Sequence, residues 1–154
     1  MRLLNLFSWM YFGQDNRALQ EYVNDQQRYD AVQSFFNSMD GAFGMLLLVC
    51  IIVPILMCVL YHWPFNKKPG RHYRPVFQLW AALFSLAVTF LIAFVLVAVT
   101  VKTPSFDSGL NIFKVLMAFG CGVDSMVVYL VAALVIGAAF KTNAFPIHKI
   151  FSKK

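Results

Sequence analysis

Charge is scarce in this chain: thirteen Lys and Arg and seven Asp and Glu amount to only 13% of its 154 residues. A soluble domain carries about 25% charged residues to face water, so the balance points away from a water-exposed globule. Cysteine is scarce too. Cys50, Cys58 and Cys121 all lie in apolar runs, which excludes a disulfide framework as the organising device and leaves each thiol to act as a small hydrophobe. The motifs of soluble catalysis are missing: no Gly-rich phosphate loop, no H-E-x-x-H, no C-x-x-C and no G-x-S-x-G. His62, His72 and His148 share no metal-ligand spacing. No catalytic residue, cofactor or metal site is therefore expected.

What is present is apolar. Hydrophobic residues make up 60% of the chain, and the mean hydropathy is +0.65. Three long runs carry it: "AFGMLLLVCIIVPILMCVLY" over 42–61, "VFQLWAALFSLAVTFLIAFVLVAVTV" over 76–101, and 115–140, broken only by Asp124. A helix rising ~1.5 Å per residue needs about 20 residues to cross ~30 Å of hydrocarbon, so each run is long enough. Lipid offers no partner to a bare amide, so each must be helical. The expected fold is all-α: an integral membrane three-helix bundle over 41–141, preceded by an extracytoplasmic segment over 1–40 and followed by a basic tail over 142–154.

The net charge of +6 does not call for nucleic acid, because the cations sit at the ends of apolar runs. The connection "HWPFNKKPGRHYRP" holds Lys67, Lys68, Arg71 and Arg74 with no acid, and the tail "KTNAFPIHKIFSKK" is equally one-sided. The first forty residues hold three Arg against five acids. The positive-inside rule then puts the hairpin and tail in the cytoplasm and the N-terminus outside. A basic loop at that face also attracts anionic lipid headgroups, at ~1 kcal/mol per cation. Tyr61, Trp63, Tyr73 and Trp80 suit the aromatic belt of the inner leaflet.

Within 1–40, Leu3, Leu4, Phe7, Met10 and Tyr11 share a helical face, which reads as an interfacial helix on the outer leaflet. The run "NRALQEYVNDQQRYDAVQSFFNSM" then spaces Leu19, Val23, Tyr29, Val32, Phe36 and Met39 as one amphipathic helix, capped near Asp15 or Asn16 and interrupted at Gln26 and Gln27. Its stripe must lie on lipid, on the bundle or on another subunit. Asp40-Gly41 marks the turn or bend into the first span.

The spans carry few polar groups. Ala81, Ser85, Thr89 and Ala93 repeat every four residues in the second span and offer a close-packing face. Ala118, Gly122, Ser125, Ala133 and Gly137 offer a matching one in the third. Asp124 lies ~15 Å from the outer end of its span and Thr89 ~18 Å. Pro54, by lacking an amide, frees the carbonyl of Cys50 at ~12 Å. Asp124, Ser125, Thr89, Ser85, Cys50 and Pro54 are thus expected to form an intramembrane polar cluster. An ionised Asp there costs about 2.5–3.5 kcal/mol on the lenient scale, so a dry Asp124 would be protonated and donate to the Cys50 carbonyl or to Thr89. It then acts either as glue between spans or as part of a hydrated cation path.

Two functions remain open. One is a non-catalytic subunit of a larger membrane assembly, such as a secretion, respiratory or envelope complex. The other is a homo-oligomeric channel or membrane-permeabilising protein, with Asp124 at its pore or packing interface. The three-span plan is similar in topology to one class of phage holins, without a shared motif. Expected partners are the bilayer with other membrane subunits or copies of the chain.

Overall fold

The computed structural model of the chain describes the backbone over residues 14–65 and 75–139, and side chains over 17–63 and 76–136. Among the described residues the fold is all-helical. The elements are α1 (Gln14–Gln20), α2 (Gln26–Gly41), α3 (Phe43–Leu60) with a π-helical turn at Tyr61–Phe65, α4 (Pro75–Thr100), a 3-10 turn at Ser108–Leu110, and α5 (Asn111–Ala139). Three of these helices are long and apolar enough to cross a membrane. The expected interfacial helix at 1–13, the basic hairpin and the basic tail lie outside the described residues.

The single amphipathic helix expected over 15–39 is two helices. The chain leaves α1 through a turn at 21–24, where the amides of Tyr22 and Val23 reach back to Leu19 and Gln20. Asp25 then restarts the helix: its backbone is extended and its side chain accepts from the amide of Arg28 at 3.2 Å. The cap is therefore Asp25, not Asp15 or Asn16, because its carboxylate meets the orphan amides of a new first turn. Arg28 closes the same cap with an ion pair to Asp25 at 3.1 Å. The break resets the helical register, which leaves Val23 60% exposed while Leu19, Val32, Phe36 and Met39 are buried as expected, together with Phe35.

The turn or bend expected at Asp40-Gly41 falls one residue later, at Ala42, between α2 and α3. Gly41 ends α2 in helical conformation, and the Ala42 amide still reaches the Ser38 and Met39 carbonyls at 3.1 Å. The Leu46 amide in turn reaches Ala42. With its bonds so satisfied, α2 runs into α3 through a single residue. Glycine permits a turn but does not demand one when the apolar pattern continues on both sides.

Two compact units divide the chain, one drawn from Met1–Leu48 and Phe90–Cys121, the other from Val49–Thr89 and Gly122–Lys154. In the first, the buried stripe of α2 meets α5: Phe36 stands edge-on to Phe35 and to Phe113, with centroids 5.3 and 5.2 Å apart. Burying a Phe stabilises by about 1.5–3 kcal/mol, and edge-to-face pairing adds about 0.5–1.5. Of the surfaces open to this stripe, the chain's own helix takes at least part.

The same unit ties the α4–α5 loop to the α1–α2 turn. Tyr22 donates its phenol proton to Asp107 Oδ2 at 3.0 Å and packs edge-on against Phe106, whose other contact is the Arg28 guanidinium, 5.6 Å from the ring centre. Asp107 also accepts from the Gly109 amide and so caps the short turn that opens α5. Helix α5 starts at Asn111, one turn before the apolar run expected from 115. Lys114 is therefore not a boundary marker in water. Its side chain is buried and donates to the carbonyl of Val101, at the end of α4, where a helix presents its negative pole.

Candidate functional site

The second unit holds a continuous chain of buried polar side chains. His62 follows Cys58 by four residues, so the π-helical turn at the end of α3 brings its ring back over the Cys58 carbonyl, 2.9 Å from Nδ1. The Cys58 thiol lies 3.5 Å from the same nitrogen. On the other side of the ring, Gln78 of α4 places its amide nitrogen 3.2 Å from His62 Nε2. Tyr129 of α5 donates its phenol proton to Gln78 Oε1 at 3.2 Å. Each of the four residues is no more than 3% exposed.

Proton positions follow from these partners. A backbone carbonyl only accepts, so His62 Nδ1 carries the hydrogen and Nε2 offers a lone pair. The Gln78 amide donates to that lone pair, which leaves its oxygen for Tyr129. The order Tyr129 to Gln78 to His62 to Cys58 carbonyl is thus a one-way, uncharged chain spanning three helices. Ala82 and Ala133 pack with Cys58 and Tyr129 around it, and their small side chains let the helices approach closely. Every member is neutral, and a fully satisfied neutral network is how a low-dielectric interior holds polar groups without the cost of a buried charge.

The chain was not foreseen at the sequence level, where His62 counted only as a flanking residue. One signal was available. The buried face of α4 reads Gln78, Ala82, Ser85, Thr89, Ala93 and Val97, steps of four with one step of three, close to the helical period of 3.6. A step of four rotates about 40°, so stepping back from Ser85 by four gives Ala81, whereas the buried residue is Ala82, three residues back. Ala81 lies only partly buried, in an apolar groove of about 790 Å³ lined also by Met57, Phe77, Trp80 and Phe84. Ser85, Thr89 and Ala93 are buried, as are Ala118, Gly122, Ser125 and Ala133 on α5. Gly137 lies in the helical backbone of α5.

The polar cluster expected around Asp124 is only partly realised. Ser85, Thr89 and Ser125 are completely buried, Cys50 and Pro54 are buried, and Asp124 is half-buried. Of the two acceptors expected for Asp124, the Cys50 carbonyl or Thr89, Thr89 is not used: Thr89 Oγ1 has no hydrogen-bond partner, and neither has Ser85 Oγ. Ser125 turns back to its own helix and donates to the Gly122 carbonyl at 2.7 Å, the usual local outlet for a helical hydroxyl. Cys58 carries a free thiol, whereas Cys50 and Cys121 are disulfide-bonded, so the expectation of three simple apolar thiols holds for Cys58 alone. Lys67, Lys68, Arg71 and Arg74 lie outside the described residues, as do Tyr73, His72 and His148. Trp63 and Trp80 are exposed at 57% and 65%.

No family model, curated protein or solved structure matches this chain.

Proposed function

We propose that this protein is a non-catalytic integral membrane subunit of a larger membrane assembly. It would insert as a three-helix bundle with its N-terminus outside and its basic hairpin and tail in the cytoplasm. The observation that carries this reading is the closed chain from Tyr129 to the Cys58 carbonyl. Its members are uncharged and bond to one another across the helices, with no charge to attract an ion, which favours a fixed arrangement of α3, α4 and α5 around them. Large apolar side chains such as Leu56, Phe84, Leu91, Val99 and Val135 remain exposed on α3, α4 and α5, which suits lipid and neighbouring subunits alike. Lys67, Lys68, Arg71 and Arg74 would rest against anionic headgroups at the cytoplasmic face.

The test is purification of the full chain from its native membrane in mild detergent, followed by mass measurement of the intact particle. Stoichiometric foreign proteins are the expected result, and a ring of this chain alone would overturn the reading.

A second reading, the homo-oligomeric channel, draws on one specific observation: the Ser85 and Thr89 hydroxyls are buried on the face of α4 without a partner. A buried hydroxyl left unbonded costs about 1–3 kcal/mol, a cost that water or a cation in a path would offset. Ion flux through reconstituted vesicles separates the two. The subunit reading expects no flux and an Asp124→Asn variant that assembles like the parent, since an amide and a protonated acid both donate a hydrogen bond. The channel reading expects a leak that Asp124→Asn changes about tenfold or more, the size of one lost charge interaction.

A further inference from the structure

The one-way order of the buried chain makes it sensitive to a single proton. We propose that His62 is a proton-operated latch: protonation at Nε2 sets donor against donor at Gln78 and frees the Tyr129 hydroxyl that holds α5.

In the neutral state each donor faces an acceptor. The Nε2 lone pair of His62 is the acceptor that the Gln78 amide needs, 3.2 Å away. A proton on Nε2 turns that contact into N–H against N–H. Nδ1 cannot relieve it, because its own hydrogen is already committed to the Cys58 carbonyl. The remedy with least motion is for the Gln78 amide to turn over, so that Oε1 accepts from the protonated ring. Its NH2 group then faces the Tyr129 oxygen, which accepts, and the phenol proton loses its acceptor. Tyr129 is completely buried and, among the described residues, donates its phenol proton to Gln78, so this displaced donor finds water only if α5 moves. Desolvation makes such an orphan expensive.

The groups around the ring leave the imidazole as the one that titrates in this range. Cys58 approaches it from α3 and Tyr61 stands edge-on to it at 5.2 Å. Gln78 of α4 is uncharged, and Tyr129 of α5 acts through it. Thiol and phenols stay protonated as the pH falls, and among the described residues no carboxylate or cation pairs with the ring. The latch is independent of whether the protein serves as a subunit or as a channel.

Cys58 supplies the readout, because its free thiol is fully buried beside the ring. The full chain in detergent micelles would be treated with a thiol-reactive disulfide between about pH 8 and pH 4.5, a span bracketing the ordinary imidazole value near 6.5. Rates would be normalised to a small model thiol at each pH, and the labelled residue identified by mass spectrometry. The latch predicts that normalised labelling of Cys58 rises about tenfold on acidification. His62→Gln, which keeps a donor and an acceptor but cannot titrate, should be flat. Tyr129→Phe, which has no phenol proton to displace, should label faster than the parent at neutral pH yet show a much smaller acid step. A flat wild-type profile would overturn the proposal. An acid step that survives undiminished in Tyr129→Phe would also overturn it, because burial of any charged histidine would then suffice. Should His62→Gln fail to fold by circular dichroism, the Tyr129→Phe comparison decides alone.

Discussion

Gly41 is where residue-level chemistry and context part company. Asp-Gly is a strong turn signal, yet both residues lie in the last turn of α2, and a Cβ placed on Gly41 would meet nothing within 4 Å. Glycine in a helix costs roughly 0.5–1 kcal/mol against alanine. Gly41→Ala is therefore expected to stabilise the protein by about that amount, read as a rise in thermal midpoint in detergent; a fall would mean that the α2–α3 joint needs glycine after all. His62, Gln78 and Tyr129 teach the complementary lesson. Each is an ordinary residue in its own stretch, and their meaning lies in meeting one another across three helices. Spacing along one helix cannot show that, although the run of Gln78 with Ala82, Ser85 and Thr89 on one face came close.

Among the elements, the spans were the most legible, because a run of twenty or more uncharged residues admits one solution in lipid. Helix α3 covers Phe43–Leu60 and α4 covers Pro75–Thr100, each within two residues of the expected limits. Helix α5 starts earlier than its apolar run implies because Lys114, a cation at the edge of that run, finds a carbonyl to bind at the end of α4. The split of the amphipathic run at 21–25 was hinted by Gln26 and Gln27 but not placed, since Asp25 and Asp15 are equally good caps on paper. What holds the resulting α1–α2 turn is the Tyr22–Asp107 bond, and it has a pH signature. The Asp107 carboxylate, by accepting the phenol's hydrogen bond, holds Tyr22 above its ordinary value near 10. A group raised in the folded state lends stability that is full below about pH 10 and is lost as the pH climbs through the raised value. Hydrogen exchange of the loop amides over 102–110 should accordingly accelerate above about pH 10 beyond the normal base-catalysed rise. Tyr22→Phe should remove that extra step, and an unchanged profile would show that the bond does not hold the loop.

At the scale of the whole molecule, composition is the dominant fact. With so little charge and so much exposed apolar surface, the folded chain is stable only where lipid or other apolar surface covers α3, α4 and α5. Because α4 would cross the membrane once, the α3–α4 connection and the α4–α5 loop are expected on its opposite faces. The most direct measurement introduces one cysteine at a time, Lys68→Cys or Ser105→Cys, and applies a membrane-impermeant thiol reagent to sealed vesicles of known orientation. The account predicts that Lys68→Cys is labelled only from the cytoplasmic side and Ser105→Cys only from the outer side. Labelling of both from one side would contradict it.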